Sequence, residues 1–560
     1  MAPLVYRLVR LLFKLSANAF YAIEVEGLEN IPPDGCPTIL CPNHSNSLTD
    51  PVCLLSSIPS KKRDLVRMTA KDTFWRGNDL FSLLIRGVGT VPIKRSKDYN
   101  YAKVDNSESF ERLIESLEQG NCICMFPEGI SRYNSQVAPF KPGVALIASE
   151  TLTRNKDRED FSINLLTVSI VYTHREKFRS NVLVKFNSPI VLTPKHQSLL
   201  KIETENGKRI SSEQAIRELT SAMEELVRSN TLDAPNWQTL RIAHTARKLY
   251  SGHLGTRISL AEYVRLTKDF INALDKVKVK IESNSESDNS ENDSSDDSND
   301  IENGEEKDII VERIDSGNLL QVYNDEKEKE KEKVVNIDIN LLARDLNVYQ
   351  DLLDSIGIKD YRFSYPKPLS KLNLTGRIFF RIIGTMILGT LAFPGWILWA
   401  PVFIAGKYKE YQIRKLPLED NFDEITQYKI IIALIFLIPI YLFFLFMTFP
   451  FIMVTSWLMP LIMWLTIRWT EDFFQAFRSC LSLTKLLSLP EEEYNKIKSV
   501  REDIKRRVQI LAVNELGLPD NPENLITKSR PRGMGYFSIK RRRKKDYNEV
   551  LRLWDVSSYD

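Results

Sequence analysis

Apolar and polar positions follow three patterns along this chain, and each predicts a different element. In "LVYRLVRLLFKLSANAF" (Leu4–Phe20), Arg7, Arg10 and Lys14 recur three and four residues apart, with Leu4, Leu8, Leu12 and Leu15 largely opposite. That period predicts an amphipathic helix, lying in a membrane interface or packed on a domain. Short β-branched runs follow: "PTILCP" (37–42), "NCICMFPEG" (121–129), "INLLTVSIVY" (163–172) and "NVLVKFNSPIVL" (181–192). These predict strands. Helical spacing returns in "ESFERLIESLEQG" (Glu108–Gly120) and in Ser212–Ser229, where Ile216, Leu219, Met223 and Leu226 share a face. Residues 21–240 therefore read as one α/β domain.

The third pattern is unbroken hydrophobicity. Ile382–Gly406 carries no charge, and neither do the 38 residues from Ile430 to Ile467. A bilayer crossing takes about 20 residues, so the first run suffices for one. The second is too long for one straight crossing, and Pro439, Pro450 and Pro460 are places to break it into a hairpin of two short spans or a span with an interfacial extension. Pro394-Gly395 would also permit re-entry in the first run. Lys and Arg flank both runs on both sides, which favours both ends in the cytosol and an even number of crossings.

Charge changes the picture locally. The net charge is only +3, so whole-chain charge says little about partners; no nucleic-acid partner is expected. Residues 282–306 hold eleven Asp or Glu and no Lys or Arg. Such a segment buries too little apolar surface to offset its ordering entropy, so 280–335 is expected to be an acidic disordered insertion. Helical segments are expected on either side, an extension over 241–279 and a return over 336–377. The apolar runs fall within 378–467, and a basic helical cytosolic tail fills 468–560. Six cysteines with neither metal nor redox spacing suit a reduced, cytosol-facing protein. His196, His244 and His253 show no ligand spacing, so no metal is expected.

Candidate chemistry lies in four ordered stretches: "NHSNSLTDP" (Asn43–Pro51), "GVGTVPIKR" (Gly87–Arg95), "FPEGISR" (Phe126–Arg132) and "VYTHREKFRSNVLVKF" (Val171–Phe186). The tight Pro-Glu-Gly turn follows a strand, where α/β sheets place ligands. Taken together, these stretches resemble the four motif blocks of the glycerolipid acyltransferase family. "AHTARKLY", "DSIGIKDY", "FPGWILWAPVFIAGKY" and "REDIKRRVQILAVNELG" extend the resemblance to the fungal-type glycerol-3-phosphate/dihydroxyacetone-phosphate acyltransferases. The common block has four residues between His and Asp. Here five, Ser45 to Thr49, intervene, as in the fungal-type subgroup.

The resemblance implies an α/β acyltransferase domain (a mixed sheet flanked by helices) with C-terminal transmembrane helices. It also implies an endoplasmic reticulum membrane protein that passes an acyl group from acyl-CoA, a co-substrate rather than a cofactor, to glycerol 3-phosphate or dihydroxyacetone phosphate. A lysophospholipid acceptor and a non-catalytic acyl-CoA-binding scaffold are the alternatives, and protein partners are left open. His44 is then the general base, since imidazole titrates near neutrality, and Asp50 its orienting partner. Arg95 is the first candidate for the acceptor phosphate, with Lys141 and Arg179 next. Glu128 would accept acceptor hydroxyls or orient Arg95. Gly129 would allow close backbone approach, and Ser131 would add a hydroxyl contact.

Overall fold

A computed structural model describes residues 3–77, 80–203, 209–210, 212–251, 259–287, 338–363, 371–417 and 421–525. Most of the expected acidic insertion (288–335) and the "KRRRKK" stretch lie outside these residues. Of the insertion's first residues, 280–287 are helical rather than irregular, continuing the helix Leu260–Ser287.

The sheet holds eight strands: β1 (Ala22–Glu26), β2 (Thr38–Pro42), β3 (Val66–Lys71), β4 (Val91–Ile93), β5 (Cys122–Cys124), β6 (Ile163–Tyr172), β7 (Asn181–Phe186) and β8 (Ile190–Leu192). Their order is β1-β7-β6-β2-β5-β3-β4, with β8 also on β6. β6, β2, β5, β3 and β4 run parallel, while β7 and β8 run antiparallel to β6. The run "NVLVKFNSPIVL" is thus two strands on one edge of β6. Because the central strands are parallel, the residues after β2, β4, β5 and β6 emerge along one rim of the sheet. Each of the four motif stretches reaches this rim.

Helices cover both faces. The first two are α1 (Leu4–Phe20) and α2 (Thr49–Ser57), followed by α3 (Leu80–Gly87), α4 (Ser107–Glu118), α5 (Gly143–Arg154) and α6 (Glu213–Ser229). α4, α5 and α6 enclose one core with Ile39, Ile123 and Leu165. α2 closes the other with Leu40, Leu166 and Val184. α6 begins where the Ser212 hydroxyl accepts the Ala215 N–H, a capping bond that offsets one unpaired helix-end donor.

α1 is turned the opposite way from an ordinary packed helix. The Arg10 guanidinium is buried and donates to the carbonyls of Ile58, Arg63 and Asp64 at 2.6–3.0 Å. Arg7 pairs with Asp64 at 3.1 Å. The leucine face looks outward, with Leu4 73% and Leu8 58% exposed and Leu11, Leu12 and Leu15 beside them.

A third core joins segments far apart in the chain. α7 (Trp237–Ser251), α8 (Leu260–Ser287), α9 (Ile339–Ile356) and, after the apolar helices, α13 (Glu491–Asn514) share it through Tyr250, Phe270, Leu346 and Ile504. Arg501 forks onto Asp360 at 2.8 and 3.1 Å, and Arg507 meets Asp345 at 2.5 Å.

Between them run α10 (Lys371–Arg414), α11 (Ile425–Met447) and α12 (Ile452–Ser488). Three helices among the described residues are long and apolar enough to cross a membrane. The 38-residue run breaks into two helices at Thr448–Phe451, around Pro450. α10 passes through Pro394 and Pro401 without re-entry, as neighbouring helices allow in an apolar setting. α10 and α12 are antiparallel: Gly389 faces Phe473, while Gly395 faces Thr466. At Gly395 a Cβ would overlap the Thr466 side chain, so only glycine lets the two helices close here.

Candidate active site

The loop that carries His44 and Asp50 is built from the end of β2 and the start of α2. His44 leaves β2, and Asp50 sits in the first turn of α2, where the helix dipole favours a negative charge. Asp50 is fully buried, and its oxygens are held by four donors. Oδ2 accepts from His44 Nδ1 at 2.9 Å and from the Ser45 and Asn46 N–H groups at 2.8 Å each. Oδ1 accepts the Tyr172 hydroxyl at 2.7 Å. A carboxylate can only accept, so Nδ1 carries the proton and Nε2 keeps its lone pair. The imidazole lies over Phe126, ring centroids 4.3 Å apart, and its side chain is 19% exposed.

Glu128 holds the same histidine by its main chain. Oε1 accepts the His44 N–H at 2.6 Å and Oε2 the Ala138 N–H at 3.2 Å. Burial pushes the carboxyl up to about 7, outweighing those two hydrogen bonds and the nearby His44. Gly129 has φ +75°, and a Cβ there would lie 2.7 Å from Lys141 Nζ. The lysine ammonium therefore hangs directly over the Glu-Gly turn.

Residues 22–171 match the family model for acyltransferases, and residues 317–520 match the glycerol-3-phosphate acyltransferase 2 C-terminal domain. The chain carries an acyltransferase-family domain. The chain is 26% identical over 352 residues to glycerol-3-phosphate O-acyltransferase 1 of Saccharomyces cerevisiae, covering 62% of the chain and 38% of that protein. It is 24% identical over 347 residues to glycerol-3-phosphate O-acyltransferase 2 of the same yeast, covering 60% of the chain and 38% of that protein. The chain thus spans well under half the length of these relatives. A chloroplastic 1-acyl-sn-glycerol-3-phosphate acyltransferase of Arabidopsis thaliana is 29% identical over 149 residues, 26% of the chain and 37% of that protein.

The predicted site residues are placed unequally. His44, Asp50, Glu128, Gly129 and Lys141 come together. Arg95, just past β4, forks onto Asp98 at 2.8 and 2.9 Å, and this pairing holds the Asp98 carboxyl below its usual range. Glu128 faces main-chain donors rather than Arg95, which corrects the orienting role expected for it. Ser131 is occupied: its hydroxyl donates to Asp423 and accepts the Ser47 N–H at 2.9 Å. Arg179 departs most from expectation. Its side chain is 5% exposed, pairs with Glu471 at 3.2 Å and donates to the carbonyls of Asn18 and Ala19. It joins α1, the β6–β7 turn and α12 instead of lining an open surface.

Tyr172 and Arg175 belong to the site without having been singled out. Arg175 lies beside the stacked rings of Tyr133 and Trp237, its guanidinium carbon 4.9 and 5.7 Å from their centroids, and donates to the Ser45 carbonyl at 3.3 Å. Tyr172 ends a predicted strand inside the fourth motif stretch, so position alone could have flagged it. Among the described residues no group of three or more His, Cys, Asp or Glu is arranged to hold a metal ion.

Proposed function

We propose that this protein transfers a long-chain acyl group from acyl-CoA to the sn-1 hydroxyl of glycerol 3-phosphate, and also to dihydroxyacetone phosphate, at the cytosolic face of the endoplasmic reticulum membrane. The observation that carries the reading is the His44–Asp50 pair, fixed in one tautomer at the parallel-strand rim of an acyltransferase-family domain. His44 Nε2 takes the proton from the acceptor hydroxyl as its oxygen attacks the thioester carbonyl. Asp50 stabilises the imidazolium. The C–S bond then breaks, and the imidazolium returns the proton to the departing sulfur. No acyl-enzyme is formed. Arg95 and Lys141 supply the cations for the acceptor phosphate, with Arg95 exchanging Asp98 for phosphate oxygens. The relatives named glycerol-3-phosphate O-acyltransferases, matched over 352 and 347 residues, support the small acceptor. The three apolar helices and the outward leucines of α1 support catalysis beside the bilayer, where acyl chains partition.

A lysophosphatidic acid acceptor is the second reading, favoured by the 149-residue match to the chloroplastic enzyme. Membranes containing the full chain and labelled long-chain acyl-CoA, offered glycerol 3-phosphate, dihydroxyacetone phosphate and lysophosphatidic acid separately, decide between them. Acylation of the small phosphates is expected. Acylation of lysophosphatidic acid alone would replace the first reading with the second.

A further inference from the structure

The longer His–Asp loop has a second set of partners, and they come from the other end of the chain. Ser47 sits inside the five-residue spacer with φ 44°, a left-handed conformation that residues with a Cβ rarely adopt. Such a conformation persists where the surroundings hold it. The Ser47 N–H donates to Ser131 Oγ at 2.9 Å. The Ser47 hydroxyl donates to Gln427 Oε1 at 2.9 Å, and the Leu48 N–H reaches the same oxygen at 3.4 Å. Gln427 lies in the first turn of α11. Its neighbours grip the same rim: Asp423 accepts the Ser131 hydroxyl, Thr426 donates to the Arg175 carbonyl at 2.7 Å, and Lys429 donates to the Glu176 carbonyl at 3.0 Å.

We propose that Gln427 is a positioning residue for catalysis: through Ser47 it holds the loop that presents His44 and Asp50, so that the first turn of α11 completes the active site. Its reach is indirect. Ser47 follows Ser45 and Asn46, whose N–H groups fix Asp50 Oδ2. Releasing Ser47 from its left-handed conformation swings those donors, and with them the imidazole. The kinetic part of this proposal rests on the acyltransferase reading above, while the structural part does not.

The test uses the full chain in membranes, with Gln427→Leu, Gln427→Glu, Ser47→Ala and the Gln427→Leu/Ser47→Ala pair. Gln427→Leu removes the acceptor oxygen and is expected to lower kcat about 10- to 100-fold, with KM for acyl-CoA and the melting temperature unchanged. Gln427→Glu keeps an acceptor oxygen and should recover most of kcat. The double variant should be no slower than Gln427→Leu alone, since both changes break one link. Hydrogen exchange of the peptide spanning 43–50 should quicken in Gln427→Leu and stay at the wild-type rate in Gln427→Glu. Wild-type kcat in Gln427→Leu, a loss that follows the melting temperature or KM, or unaltered exchange would overturn the proposal. A wild-type protein inactive on every acceptor would instead refute the function, and the exchange measurement would still judge the clamp.

Discussion

Replacing Asp50 by asparagine separates its charge from its geometry. Oδ2 receives three N–H donors at 2.8–2.9 Å, and Oδ1 faces a hydroxyl that can turn to accept instead. The asparagine carbonyl therefore takes the Oδ2 place and its NH2 takes Oδ1, with the loop kept. The lost quantity is the negative charge that balances the imidazolium as His44 takes a proton. In a hydrolase triad the same change costs about 10⁴-fold in kcat, and a site this buried should lose about 10³- to 10⁴-fold, or about 4–5 kcal/mol of transition-state stabilisation. Asp50→Ala instead leaves all four donors without their acceptor, each buried one costing about 1–3 kcal/mol, so it should lower the melting temperature as well as kcat. Tyr172→Phe removes one hydrogen bond and should cost about 1–2 kcal/mol of stability with kcat within about tenfold. Initial rates with labelled acyl-CoA, paired with thermal melting of the same preparations, read both quantities. If Asp50→Asn keeps kcat within about tenfold, Asp50 only anchors the loop and the electrostatic argument fails.

Other outcomes follow from the same geometry. The Glu128 carboxyl is raised from its ordinary 4.5 to about 7 in the folded protein, so its contribution to stability is whole below about 4.5, falls as pH rises, and is gone above about 7; Glu128→Gln should flatten that part of the melting-temperature profile, and an unchanged slope would show another group responsible. Arg95→Ala should raise KM for the phosphate acceptor about 10- to 100-fold with KM for acyl-CoA unchanged, and equal effects on both would remove Arg95 from the acceptor site. Gly129→Ala forces a Cβ to within 2.7 Å of Lys141 Nζ at φ +75°, so kcat should fall and stability should drop by about 1–3 kcal/mol, read by the same rate and melting assays. A polarity-sensitive fluorophore on Leu8→Cys should report an apolar surrounding in proteoliposomes, and a water-like emission would show that α1 stays off the bilayer.

What could be read ahead of the structure was local. β2, β5 and β6 are buried parallel strands and appear as short apolar runs, and the helices Glu108–Gly120 and Ser212–Ser229 declare themselves by period. β1 and β3 were missed because "AIEVE" and "VRMTAK" are only partly buried and carry charges. The single helical layer formed by α7, α8, α9 and α13 could not be foreseen, since its parts are separated by the apolar helices and its core forms only by long-range packing. The site divides the same way. His44, Asp50, Glu128 and Gly129 stand in compact motifs after strands. Asp423 and Gln427 sit in "NFDEITQY", an ordinary polar lead-in to an apolar helix, and nothing in that stretch announces a contact with Ser131 or Ser47. Arg179 misled for the converse reason: a cation near a motif looks like a ligand for phosphate until its burial against Glu471 is seen.

The most direct test of the central claim is the transfer rate to glycerol 3-phosphate in membranes carrying the wild type or His44→Ala at equal expression, with acyl-CoA binding measured alongside. Transfer by the wild type that falls at least about 10³-fold in the variant, with acyl-CoA binding retained, is the predicted result. Equal transfer by both proteins would contradict His44 as the base and the account built on it.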